Sequence, residues 1–136
     1  MTRPRRASVV RRLAGYERLI EVGIGNRTEL AAALADRGCT VVATDVVDRE
    51  TPPGVEFVRD DVTDPDLGVY EGAGAVYMRN CPPELQRPLA AVAGQVGADC
   101  LFTTLGGDPT VLPVEREPVE GGTLFRASRG TRGGPA

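Results

Sequence analysis

The feature that most constrains this chain is a short apolar run that ends in two glycines and passes at once into a helix. Leu19-Ile20-Glu21-Val22 leads into Gly23-Ile24-Gly25-Asn26. A run of this kind reads as a strand buried on both faces, as parallel sheets require. The glycines permit a tight turn and let a ligand approach the backbone. Residues 27–37 predict the helix. Leu30 and Leu34 share one face, Asn26 stands at the cap, Glu29 completes an approximate capping box, and Gly38 lies just past the end. The start of such a helix offers free amides and partial positive charge. Asp45 follows Gly25 by 20 residues, at the end of the next apolar run, residues 40–44. An acid there is placed to accept hydrogen bonds from ribose hydroxyls.

The rest of the chain continues the same alternation. Residues 6–18 predict a first helix, with Val9, Leu13 and Tyr16 at helical spacing. Strands are expected at 18–23, 40–44, 55–59, 75–78 and 100–105. Residues 48–54 are too rich in proline for a helix, and 65–72 allow a turn at most. Residues 84–97 predict a helix with Leu85, Leu89, Val92, Ala93 and Val96 on one face. It tolerates Pro88 only close to its start. Residues 111–127 predict a hairpin turning at Gly121-Gly122. The expected fold is α/β: a three-layer Rossmann-like domain with a mostly parallel sheet, order 3-2-1-4-5, a C-terminal antiparallel hairpin and reduced helices. One domain spans 1–128, and 129–136 is expected to be a disordered tail. The ligand crevice is expected at the carboxyl ends of strands one, two and four, where the strand order reverses.

Charge and composition narrow the function. The net charge is −3, and all 16 cations are arginine. Residues 1–20 hold six arginines and one acid, and residues 121–136 hold three arginines and no acid, so an acidic body carries two basic ends. Those ends are candidates for nucleic-acid contact, although no aromatic residues interleave with them. Cys39, Cys81 and Cys100 are widely spaced and the chain has no histidine, which argues against a disulfide framework and against a Cys/His metal site. No apolar run approaches the ~20 residues of a membrane span. A cytoplasmic protein is expected. Without histidine, a general base is limited to carboxylates, Cys81 or Tyr77. The sequence assigns no catalytic residue.

The residues also bear on the ligand. A dinucleotide fingerprint wants a third glycine or alanine where this chain has Thr28. Glu21 places a negative charge at the strand end, which suits an ammonium or sulfonium better than a pyrophosphate. Arg27 points the other way, since it could meet a phosphate.

Glu21-Val-Gly-Ile-Gly25, Asp45, and Asp60-Asp61-Val62 resemble the first three motifs of S-adenosylmethionine-dependent methyltransferases. The resemblance covers roughly residues 18–105. It implies that Glu21, Gly23 and Gly25 lie beside the methionine moiety, that Asp45 binds ribose, and that Asp61 reaches the adenine amino group while Val62 packs on the base. Asn80-Cys81-Pro82-Pro83 stands where amino-methyltransferases carry an Asn/Asp-Pro-Pro-aromatic motif, which makes Asn80 a further candidate. Here a cysteine intervenes, Glu84 replaces the aromatic, and Asn26 replaces the third motif glycine. More narrowly, Glu21–Gly25, the run from Val58 to Pro65 and Pro82-Pro-Glu-Leu-Gln86 are similar to a small uncharacterised, mainly archaeal family with a truncated methyltransferase-like Rossmann fold. The implied cofactor is S-adenosylmethionine, with methyl transfer to an acceptor the sequence does not name. The chain has no substrate-recognition cap, so a protein partner is a candidate for the missing surface.

Two other readings stay open. Val58–Leu67 and Glu71–Val76 also resemble the NAD- or adenine-nucleotide-sensing regulatory domains of potassium transport systems. That would make the chain a binding module without catalysis. The third reading is a non-catalytic subunit that contacts a partner or nucleic acid through its basic ends.

Overall fold

The apolar runs pair as parallel strands because each is buried on both faces and needs helices on either side to cover it. The computed structural model describes residues 6–128. In chain order the elements are α1 (Val9–Leu13), β1 (Arg18–Val22), α2 (Glu29–Asp36), β2 (Thr40–Asp45), β3 (Val55–Arg59), α3 (Leu67–Tyr70), β4 (Ala75–Met78), α4 (Pro83–Val96), β5 (Asp99–Phe102), β6 (Val114–Val119) and β7 (Gly122–Ala127). They form one seven-stranded sheet in the order β3-β2-β1-β4-β5-β7-β6. The first five strands are parallel, and the C-terminal hairpin adds antiparallel through β7. The expected order 3-2-1-4-5 with an added hairpin is the order observed.

Strand alternation sorts the core into two layers. Ile20, Val22, Val42, Val76 and Phe102 face Tyr70 of α3 and Leu89 and Val92 of α4. Leu19, Val41, Tyr77 and Leu101 face Leu13 of α1 and Leu30 and Leu34 of α2. Truncating a fully buried leucine such as Leu19 or Leu89 to alanine in such a layer costs about 2–5 kcal/mol. β1 sits at the centre: Leu19 pairs with Val41 on one side and with Ala75 on the other. The order therefore reverses between β1 and β4, the place where open sheets of this kind leave a crevice at the carboxyl ends of their strands.

Several boundaries differ from the sequence expectation. α1 is only the turn and a half from Val9, started by Ser8, whose hydroxyl accepts the Arg11 N–H at 3.1 Å. It ends before Gly15, which favours no helix. α2 starts at Glu29, and its cap is Thr28, with no side-chain bond. Asn26 is not the cap, because its Oδ1 accepts from Arg49 Nη1 at 3.1 Å. β5 stops at Phe102 and not at residue 105, because Thr103 holds the exit of β4: its carbonyl accepts the Cys81 N–H at 2.7 Å. Pro88 lies inside α4, beyond the first turn. The carbonyl it leaves without a donor belongs to Glu84, which is exposed and open to water. The hairpin turns at Glu120-Gly121. Val119 pairs with Gly122, so Gly122 belongs to the strand and Gly121 takes the left-handed φ of 81°. The expected tail, 129–136, and the first five residues of the basic N-terminal end lie outside the described residues. Among the described residues, no helix is long and apolar enough to cross a membrane.

Candidate functional site

The exit of β1 is fastened to the exit of β2. The N–H groups of Gly23 and Ile24 both donate to the Thr44 carbonyl, at 2.9 and 3.0 Å. Gly23 and Gly25 have left-handed φ angles of 69° and 57°, which side chains disfavour. The Gly25 N–H donates to Asp45 Oδ2 at 2.9 Å, and the Val47 N–H donates to Oδ1 at 3.2 Å. Asp45 is only 8% exposed and also pairs with Arg49, whose Nε lies 3.3 Å from Oδ2. Arg49 thus spans from the carboxylate to Asn26 across the loop mouth.

The exit of β3 is built around two carboxylates. Asp60 accepts the Tyr70 hydroxyl at 2.7 Å and the Asp66 N–H at 3.0 Å. Asp61 is exposed, and its Oδ1 accepts both the hydroxyl and the N–H of Thr63, at 2.7 and 2.9 Å. These bonds hold the Asp61 carboxyl below the usual carboxylate range.

A cavity of about 200 Å³ opens between these exits. Gly23, Asp45, Asp61 and Val62, all predicted from sequence, line it together. Five residues to which the sequence assigned no ligand contact complete its walls: Val22, Val46, Asp60, Met78 and Leu85. Met78 was reachable by alternation, since it lies two residues past Val76 and so faces the same side of β4. Arg49 carried no sequence signal, because its role comes from the path of the 48–54 loop.

The other predicted residues lie elsewhere. Glu21 is 1% exposed and points to the opposite face of the sheet. Its Oε1 accepts the Tyr77 hydroxyl at 2.7 Å, and its Oε2 lies 3.5 Å from Arg79 Nε. Burial raises its carboxyl to about 7, against the opposing pull of Tyr77 and Arg79. Gly25 acts through its bond to Asp45 and does not line the cavity. Asn80 takes a left-handed φ of 53° and lines a separate cavity of about 260 Å³ with Thr103, Thr104 and the hairpin turn. Its N–H donates to Thr103 Oγ1 at 2.8 Å. Of the general bases left open by the sequence, the cysteine and the tyrosine fare poorly. Burial pushes the Cys81 thiol up to about 12, and burial together with Glu21 raises the Tyr77 hydroxyl.

The family model described as "Uncharacterised protein family (UPF0146)" matches residues 5–129. The chain belongs to the UPF0146 family. A UPF0146 protein of Halobacterium salinarum is 57% identical over 128 residues, covering 93% of this chain and 98% of the relative. One from Archaeoglobus fulgidus is 50% identical over 91 residues, covering 67% and 70%. Among solved structures, this UPF0146 chain is similar to an RNA methyltransferase from Salinibacter ruber in complex with S-adenosyl-L-homocysteine. The TM-score is 0.58 at 18% identity, covering 87% of this chain and 86% of that one. It is also similar to the glycopeptide N-methyltransferase MtfA complexed with S-adenosyl-L-homocysteine, with a TM-score of 0.56 at 15% identity over 93% of this chain and 60% of that one. At these identities the likeness is one of fold: a Rossmann-like, methyltransferase-like sheet.

Proposed function

We propose that this UPF0146 protein binds S-adenosylmethionine in the cavity between the exits of β1, β2 and β3. The observation that carries the reading is the convergence of Gly23, Asp45, Asp61 and Val62, from three separate strand exits, on that one cavity. Its volume suits a base with part of its sugar, and three carboxylates line it, Asp60, Asp61 and the Arg49-paired Asp45, with no arginine in its walls to cradle phosphates. That charge fits a ligand bearing a sulfonium and an amino group better than NADH or ATP. Asp45, already oriented by Gly25 and Val47, would hold the ribose. Asp61 and the Val62 backbone would meet the base edge, Val46 and Met78 would supply apolar contact, and the Gly23 turn would face the methionine end. When bound, the cofactor would supply an electrophilic methyl group. Methyl transfer needs an acceptor held in line, which positioning alone can favour. The similar folds that were solved with S-adenosyl-L-homocysteine support this reading over the nucleotide-sensing one.

Calorimetric titration of the purified chain with S-adenosylhomocysteine, with NADH and ATP as comparators, tests it. Micromolar binding of S-adenosylhomocysteine alone is expected. Tighter binding of NADH or ATP would replace this reading with the sensor.

A further inference from the structure

We propose that a second ligand site lies across the β1–β4 seam from this cleft, and that it takes a small apolar carboxylic acid gripped by Arg79. Its role as the acceptor side of the cofactor rests on the reading above.

Met78 and Arg79 are consecutive at the exit of β4, so they face opposite sides of the sheet. Met78 lines the adenosine cleft. Arg79 lines a cavity of about 440 Å³ on the other side. The remaining walls of that cavity are mainly apolar: Val9 and Val10 from α1, and Leu30 and Ala33 from α2. Such walls reward an apolar body.

Arg79 is braced from behind. Its Nε faces the buried Glu21 carboxylate at 3.5 Å, and its Nη2 donates to the Arg27 carbonyl at 2.5 Å. Among the described residues, no hydrogen bond engages Nη1. The free edge of a planar guanidinium matches a carboxylate. A second donor stands beside it. Thr103 Oγ1 already accepts the Asn80 N–H at 2.8 Å, so its own O–H remains to donate. The opposing charge is Glu29, which also lines the cavity.

The protonation chemistry favours the same ligand class. The chain has no histidine, and the Cys81 thiol is buried and held up near 12. A neutral O–H or S–H acceptor would have to shed a proton, and Glu29 is the carboxylate that lines this cavity. A carboxylate arrives ionised. Methylation of its oxygen forms one C–O bond and breaks one S–CH3 bond, whose electron pair stays on sulfur, and no proton moves.

The test is calorimetric titration of phenylacetate and its neutral isostere phenylacetamide, in the presence and absence of S-adenosylhomocysteine. The proteins are wild type, Arg79→Met, Ala33→Leu and Glu29→Gln. Phenylacetate is expected to bind at least tenfold more tightly than the amide. Arg79→Met should erase that preference, and Glu29→Gln should strengthen binding. Ala33→Leu fills the cavity without touching Arg79, so it should abolish binding of both probes while S-adenosylhomocysteine still binds. Equal binding of acid and amide, or acid binding unmoved by Ala33→Leu, would overturn the site and leave the cofactor reading intact. Acid binding by a protein that ignores S-adenosylhomocysteine would overturn the acceptor role alone.

Discussion

The backbone N–H of Gly25 and the Oδ2 of Asp45 are joined at 2.9 Å, so the glycine turn after β1 and the acid that ends β2 form one rigid unit. The carboxylate is thereby aimed before any ligand arrives. Pre-orientation of this kind lowers the cost of binding.

Asp45→Ala removes that carboxylate from the proposed ribose contact. Binding of S-adenosylhomocysteine is expected to weaken by about 1–3 kcal/mol, with the chain still folded. Calorimetry gives the affinity, and circular dichroism checks the fold. An unchanged affinity would remove Asp45 from the site.

Gly23 and Gly25 are predicted to differ under substitution. Alanine in a left-handed conformation costs about 1–2 kcal/mol at either position. At Gly23 a Cβ would also sit 3.1 Å from Met78 Cε, while at Gly25 it would meet nothing within 4 Å. Gly23→Ala should therefore lose more stability in urea denaturation, and it should weaken S-adenosylhomocysteine binding by displacing Met78. Equal losses would mean that Met78 yields freely.

Glu21 predicts a pH dependence. Its carboxyl titrates near 7 in the folded chain and near 4.5 when unfolded, mainly because it is buried. Between those values the folded state keeps a proton that the unfolded state releases, so stability falls as pH rises through the window. The loss attributable to Glu21 is about 3 kcal/mol by pH 8. Glu21→Gln should flatten that part of the profile, since glutamine can still accept from Tyr77. Urea denaturation from pH 4.5 to 8 measures it, and an unaltered slope in the variant would contradict the assignment.

Gln86 is fully buried on α4. Its Nε2 donates to the Pro109 carbonyl at 2.9 Å, and its Oε1 accepts the Val111 N–H at 2.8 Å. Gln86→Leu strands two backbone groups and should cost about 1–3 kcal/mol. Amide exchange at Val111 should accelerate as the 106–113 segment loses its tether.

The parallel strands were legible because five apolar runs are each bounded by glycine, proline or acid, and burial on both faces leaves them no other home. That Gly23, Asp45, Asp61 and Val62 would line one cavity was legible because strand exits in such a sheet converge. What escaped the sequence was the competition among neighbours for hydrogen bonds. Asn26 has the chemistry of a cap, but Arg49 engages it, and Thr28 stands at the helix start. Gly121 and Gly122 are interchangeable on paper, and only strand register decides which one turns. Glu21 looks like a ligand contact until Tyr77 and Arg79, far away in sequence, close over it. Asn80 follows β4, as the resembling motif requires, yet its left-handed backbone carries it toward the hairpin.

Amide chemical-shift mapping of the chain titrated with S-adenosylhomocysteine tests the location of the ligand most directly. The largest shifts are expected on Gly23, Gly25, Val46, Val47, Asp61 and Val62, with the hairpin Val114–Ala127 unmoved. Shifts confined to the hairpin, or none at saturating ligand, would contradict it.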